Sequence, residues 1–196
     1  MEKLCASLSM DSDTDLIEKA KAGDDAAFAA LLNRHLPALY AFASRYAGDV
    51  ARADDISQDA WVKIWKNLRR FDSKKHFKTW AFTIVKNTAL DYLKKEKRST
   101  PLSRFDTEEG FNPIADTLED DEALPEKLFQ LKELGVVLET TLQKLPDTHR
   151  EVLLLRYKEE LSLEEIATVM NRPINTVKSW HLRGLSSLRK LLPSQK

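Results

Sequence analysis

Asn87, Asp91, Lys94 and Arg98 stand at i, i+4, i+7 and i+11, so on a helix they share one polar face. Phe71, Phe77, Trp80 and Phe82 cluster just before and at the start of the same stretch, with Lys74, Lys75, Lys78 and Lys86 among them. Cations that track a phosphate backbone, rings that stack on bases and amide side chains that pair with base edges are what the binding of unstacked single-stranded nucleic acid requires. Such a surface makes and breaks no covalent bond. Spacing alone leaves plainer readings open: Trp80 and Phe82 can fill a helix-packing core, and the lysines can form a solvated face.

A second constellation is acidic. Asp54, Asp55, Gln58 and Asp59, with Trp61 close by, lie in the N-terminal half of a stretch with helical periodicity, where carboxylates also complement the helix dipole. A third is basic. Arg172, Lys178, Arg183, Arg189, Lys190 and Lys196 fall after Ile166 with no acidic residue among them, and a helix of that charge suits the phosphate-lined major groove. Nothing points to catalysis, since the chain has no phosphate-cradling glycine loop and no nucleophile paired with a base by spacing. No cofactor or metal site is expected, and His181 reads as a surface residue with no second ligand at a useful spacing.

Helices must position all three groups. Leu16, Ile17 and Ala20 begin a first helix that Gly23 ends, and Asp24 is placed to cap a second carrying Phe28, Leu31, Leu32 and Leu36. Pro37 predicts a bend or break, after which Leu39, Tyr40, Phe42, Ala43 and Tyr46 continue the apolar face. A third helix is predicted from about Ala51 to Leu68, with Trp61, Ile64, Trp65 and Leu68 as its apolar stripe. The fourth, Phe77 to Arg98, turns Ala81, Val85, Ala89 and Tyr92 to a core.

Near the C-terminus Ser162-Leu-Glu-Glu165 has the form of a capping box, followed by Ile166, Ala167 and Met170 at helical spacing. Asn171-Arg172-Pro173 breaks that helix, and Val177, Leu182, Leu185, Leu188 and Leu192 mark another: a helix-turn-helix.

The formal net charge of zero conceals segregation along the chain. The basic stretch Lys74 to Arg98 is followed by Phe105 to Glu126, which carries Asp106, Glu108, Glu109, Asp116, Glu119, Asp120, Asp121, Glu122 and Glu126 without a basic residue. Pro101, Gly110, Pro113 and Pro125 interrupt it, so it reads as an extended or disordered tether. A hydrophobic fraction of 42% over 196 residues is enough for a buried core. Cys5 is the single cysteine, which excludes an intrachain disulfide or a cysteine cluster and fits a reducing, cytoplasmic setting. The first ten residues do not form a signal peptide, and no apolar run is long enough to span a bilayer.

The residues 53–65, Ala-Asp-Asp-Ile-Ser-Gln-Asp-Ala-Trp-Val-Lys-Ile-Trp, resemble region 2.2 of sigma-70-family initiation factors. Phe77 to Arg98 resembles regions 2.3 and 2.4, and Leu145-Pro-Asp-Thr-His-Arg-Glu-Val-Leu-Leu-Leu-Arg-Tyr157 with the helix-turn-helix resembles region 4. The short chain, with no room expected for regions 1.1 or 3, is similar to the extracytoplasmic-function (ECF) group.

The resemblance implies that Asp54, Asp55, Gln58, Asp59 and Trp61 dock on the β′ clamp helices of core RNA polymerase, whose β flap is a further contact. It implies that the loop Asp72 to Phe77, with Lys74, Lys75 and Lys78, and the helix bearing Trp80, Lys86, Asn87, Asp91, Lys94 and Arg98 read a minus-ten element and hold a flipped base. Arg156 would contact phosphate, and Asn175, Thr176, Lys178, Ser179, Leu182 and Arg183 would face a minus-thirty-five element, Lys178 and Arg183 on guanine edges or phosphates. An anti-sigma factor, commonly at the membrane, is implied as a further partner. Trp180, His181 and Gly184 depart from the family pattern, so promoter preference does not transfer.

The reading is an all-α protein of two helical domains, 1–98 and 125–196, joined by a flexible acidic linker, 99–124, with a helix-turn-helix in the C-terminal domain. It binds core RNA polymerase and promoter DNA and directs initiation. The tether either mimics RNA in a basic polymerase channel or is a solvated spacer. Two other readings are a duplex-DNA regulator acting without polymerase and a sigma-like decoy that only binds partners.

Overall fold

A computed structural model describes residues 11–99 and 135–191, with side chains at 11–96 and 138–191. Cys5, the acidic tether and Leu192 lie outside the described residues, and so does the side chain of Arg98. The described residues are helical and fall into two compact units.

The first unit holds α1 (Asp13–Lys21), α2 (Asp25–Ala47), α3 (Val50–Leu68) and α4 (Phe77–Ser99). The starts of α1, α2 and α3 each have a side-chain cap that satisfies amides the helix cannot. Ser12 and Asp15 form a capping box on α1, Asp24 accepts from the amides of Ala26 and Ala27, and Asp49 accepts from that of Arg52. The tight joints need positive φ, and glycine provides it at Gly23 (99°) and Gly48 (79°).

Of the bend or break predicted at Pro37, the break does not occur: α2 runs through it. Leu31 on one side of the proline and Leu39, Phe42 and Ala43 on the other are all buried, so packing against α1, α3 and α4 holds both halves in one helix. Burying each such Leu or Phe is worth roughly 1.5–3 kcal/mol, and together they exceed the ~3 kcal/mol cost of an interior proline.

The face of α3 also differs from its prediction. Ala53, Ile56, Ser57, Ala60, Ile64 and Leu68 are buried, whereas Trp61 is half-buried and Trp65 is 43% exposed, its ring 4.4 Å from that of Phe28. The four-residue stripe gave weight to the largest side chains, but small Ala and Ser let α3 sit closer to its neighbours. On α4, Phe82 meets Phe42 edge-on at 5.0 Å and Val85 and Ala89 are buried beside it. Phe82 is thus a core residue.

The second unit holds α5 (Gly135–Leu142), α6 (Asp147–Tyr157), α7 (Leu163–Met170) and α8 (Ile174–Leu191). Leu138, Leu142, Leu145, Leu153, Leu185 and Leu188 form its core. The capping box of α7 is present: the Glu165 amide donates to Ser162 Oγ at 3.1 Å and the Ser162 amide to Glu165 Oε2 at 2.8 Å. Asn171 ends α7 in the left-handed region (φ 51°, ψ 50°), which turns the chain into α8. Where α8 crosses α6, Gly184 is buried, and a Cβ there would lie 3.2 Å from Leu153 Cγ. The glycine inside α8 is therefore a close-approach point between the helices.

Candidate functional site

In the first unit the ends of α3 and α4 enclose the loop 69–76. Phe71 and Phe77, each 5% exposed, anchor its two sides, and their rings meet at 5.9 Å. Trp80 lies on both, 4.7 Å from Phe71 and 5.7 Å from Phe77, and stays half-buried. His35 of α2 packs 5.2 Å from Phe77 and its Nε2 is 2.7 Å from Asp13 Oδ2. That bond, with the Arg34 guanidinium at 2.7 Å, holds the Asp13 carboxyl below its usual range despite partial burial. Between the anchors Asp72 closes the turn, accepting from the Lys74 amide on its carboxylate (3.0 Å) and from the Lys75 amide on its carbonyl (2.9 Å).

The predicted polar face of α4 is present in part. Asn87, Asp91 and Lys94 are exposed, as are Lys74 and Lys75 of the loop, while Lys78 is half-buried. Two residues predicted on the nucleic-acid surface are elsewhere. Phe77 lies in the aromatic cluster under the loop, and Lys86 is 8% exposed and already engaged within the fold. For Lys86 the cause is register: it follows Val85 on the flank that packs inward, and only every third or fourth residue faces out. Leu90, 37% exposed between Asn87 and Lys94, adds an apolar contact that no charge or amide signal announces.

On α3, Asp54, Asp55, Gln58 and Asp59 are all exposed, and half-buried Trp61 stands one turn beyond Gln58. The Tyr40 hydroxyl donates to Asp54 at 2.9 Å and the Tyr92 hydroxyl to Asp55 at 3.3 Å, which fixes two of the carboxylates. The bond to Asp54 raises the Tyr40 phenol above its ordinary value. Tyr92 is raised by desolvation first and then by Asp55. The patch is therefore oriented from α2 and α4.

In the second unit α8 presents Asn175 and Lys178 fully and Thr176, Ser179, Leu182 and Arg183 partly, while Val177 is buried beneath them. Arg156, exposed on α6, donates to the Leu161 carbonyl at 3.1 Å, which aims it along the start of α7. A cleft of about 380 Å3 joins Arg156, Ser162 and Glu164 to Lys178, His181 and Leu182. It brings one cation of α6 and one of α8 to a common cleft, with the Glu164 carboxylate also on its lining.

His181, predicted as a surface residue, is half-buried on the wall of that cleft and has a partner. Its Nε2 lies 3.1 Å from the Tyr157 hydroxyl, and the two rings stack at 5.7 Å with 24° between their planes. Burial pushes the imidazole below its ordinary value and the Arg156 charge adds to this; burial also raises the Tyr157 phenol. Sequence reasoning missed the pair because Tyr157 and His181 are brought together only by the packing of α6 on α8. Among the described residues no group of three His, Cys, Asp or Glu side chains is placed to hold a metal ion, and no helix is long and apolar enough to cross a membrane.

Residues 31–99 match the family described as Sigma-70 region 2, and residues 141–190 match Sigma-70, region 4. The chain is 35% identical over 180 residues to the ECF RNA polymerase sigma factor SigW of Bacillus subtilis, covering 90% of this chain and 94% of SigW. It is 34% identical over 179 residues to the ECF RNA polymerase sigma-E factor of Escherichia coli, covering 90% and 92%. Among solved structures, CnrH in complex with the cytosolic domain of CnrY is similar at a TM-score of 0.60 and 26% identity, over 95% of this chain and all of that one.

Proposed function

The chain belongs to the ECF group of the sigma-70 family, and on that footing we propose how its two units share the work of an initiation factor that joins core RNA polymerase and directs it to promoters. The single observation that carries the reading is that one chain holds both a region 2 unit with an exposed polar face on α4 and a region 4 unit with a basic α8.

The second unit anchors on duplex DNA. Arg156 and Lys178 grip backbone phosphate, and Asn175, Thr176, Ser179, Leu182 and Arg183 face the base edges of a minus-thirty-five element. The first unit works on the opened strand. Asn87, Asp91 and Lys94 of α4 and Lys74, Lys75 and Lys78 at the loop receive the minus-ten element, and Arg98 extends the same register. Trp80, the least buried ring of the cluster, offers the stacking surface.

Unstacking costs a few kcal/mol per base, and one aromatic stack returns about 1–3 kcal/mol, so one captured base roughly offsets its own extrusion. Strand opening then needs no catalytic group in this chain; bond formation is left to the polymerase. Asp54, Asp55, Gln58 and Asp59, with Trp61, dock on the β′ clamp helices, and the second unit meets the β flap. The domains follow as 1–98 and 125–196, with 99–124 between them.

A protein antagonist fits this picture. CnrH is found in complex with the cytosolic domain of CnrY, and an anti-sigma factor acting on this chain would keep it in the cytoplasm or at the inner face of the membrane. Run-off transcription with purified core polymerase tests the whole reading. A discrete promoter-dependent transcript is expected. Failure to join core, or joining without specific initiation, overturns it.

A further inference from the structure

The loop that the proposed function assigns to base reading is tied from outside to α1, more than 50 residues earlier in the chain. Lys21 Nζ donates to Ser73 Oγ at 2.5 Å, and the Ser73 hydroxyl in turn donates to Glu18 Oε1. Lys21 also meets Glu18 at 3.3 Å, and its ammonium lies 5.9 Å from the centre of the Phe71 ring. The Lys21 side chain is 19% exposed and that of Glu18 58%. A hydroxyl that accepts from a cation and donates to a carboxylate has a fixed orientation, and charge-assisted bonds of this kind are the strong ones. The Ser73 hydroxyl holds the Glu18 carboxyl below its usual range, with Lys21 contributing next.

These bonds do not seat α1, because Leu16, Ile17 and Ala20 already bury its apolar face in the core. Nor do they close the loop, since Asp72 does that locally and Phe71 and Phe77 pin its ends. What they add is a lateral restraint on Ser73, beside the exposed cations Lys74 and Lys75. A base held in a loop is discriminated only if the loop keeps its shape, because a loose loop accommodates several bases at similar cost.

We propose that Glu18, Lys21 and Ser73 are positioning residues for the base-reading loop, so that the first helix of the chain helps to set base preference within the minus-ten element. This rests on the initiation reading above.

The test uses the full chain with core polymerase on a promoter library randomised through the minus-ten and minus-thirty-five segments, with the transcribed sequences counted. Lys21→Met, Glu18→Ala and Ser73→Ala should each lower the preference for the favoured base at one minus-ten position by about fivefold, the worth of one net hydrogen bond. The minus-thirty-five preferences should be unchanged, whatever small fall in melting temperature the lost bond brings. Lys21→Arg, which keeps a cationic donor, should restore most of the preference.

If the wild type selects a minus-ten sequence and all three variants select it equally, the brace is overturned alone. It is overturned too if preference is lost evenly across both elements together with a lower melting temperature, which marks a merely structural role. A wild type that selects no sequence overturns the initiation reading and the brace with it.

Discussion

Replacing Gly184 by alanine sets two opposing effects against each other. Alanine in a helix interior is favoured over glycine by about 0.8–1.0 kcal/mol. The new Cβ, however, would stand 3.2 Å from both Leu153 Cγ and Leu153 Cδ1 and 3.4 Å from His149 Cβ. Neither Cγ nor a Cβ is the free end of a side chain, and Leu153 is fully buried at the centre of the second unit's core. The neighbours can yield only if α6 and α8 separate by a few tenths of an ångström. Overpacking of a tight core costs about 1–3 kcal/mol, so the balance is a destabilisation of about 1 kcal/mol.

For a small unit that is a fall in melting temperature of roughly 4–8 °C, read by thermal unfolding of the full chain. Pairing Gly184→Ala with Leu153→Ala identifies the cause. Leu153→Ala alone opens a cavity and should cost about 2–5 kcal/mol, yet the new methyl group then has room. The double variant should therefore lose less than the sum of the single losses. A rise in melting temperature for Gly184→Ala, or strict additivity, would refute the close-approach account. The contact also bears on function, because α8 carries Lys178 and Arg183, and moving it off α6 should weaken binding to minus-thirty-five duplex more than the loss of stability accounts for.

The Tyr157–His181 pair predicts a pH effect on the second unit. The folded-state value of His181 is lowered by burial, so as pH falls through about 6.5 the unfolded chain takes up the proton first and the unit loses stability; melting scans between pH 7.5 and 5.5 should show that slope, and His181→Gln should flatten it. Two lysines of α4 separate surface from support. Lys94→Ala should lower the log–log salt slope of minus-ten single-strand binding by about 0.7 at unchanged stability, whereas Lys86→Ala should cost about 1–3 kcal/mol of stability and leave the slope alone. Changing Glu119, Asp120, Asp121 and Glu122 to Gln and Asn should alter the ratio of abortive to full-length transcripts if the tether occupies an RNA channel; an unchanged ratio with normal holoenzyme assembly leaves it a spacer.

The all-α class, the Asp24 cap, the Ser162 capping box and the exposed faces of α3 and α8 were legible because each is a local pattern, a cap or a 3.6-residue period acting within one helix. What could not be read depends on pairs distant in sequence. Pro37 looks like a stop signal until the buried residues on both sides of it are seen packed on α1, α3 and α4. Trp61 and Trp65 look like core by size, but Ala53, Ser57 and Ala60 decide how closely α3 can dock. His181 has no meaning without Tyr157, nor Gly184 without Leu153, nor Ser73 without Glu18 and Lys21.

A common physical cause runs through these misses. A surface that must receive a charged partner cannot rely on its own exposed side chains alone for rigidity, since those groups have to exchange water for that partner. Rigidity therefore has to come from the layer beneath or beside it. Phe71 and Phe77 carry the loop, Tyr40 and Tyr92 orient the Asp54 and Asp55 carboxylates, and Tyr157 holds the recognition helix through His181. In each case an aromatic residue with no part in the exposed pattern steadies a polar group that is part of it or borders it. Substitutions in that layer should thus alter selectivity before they alter affinity, whereas removing an exposed cation should weaken binding across all sequences alike.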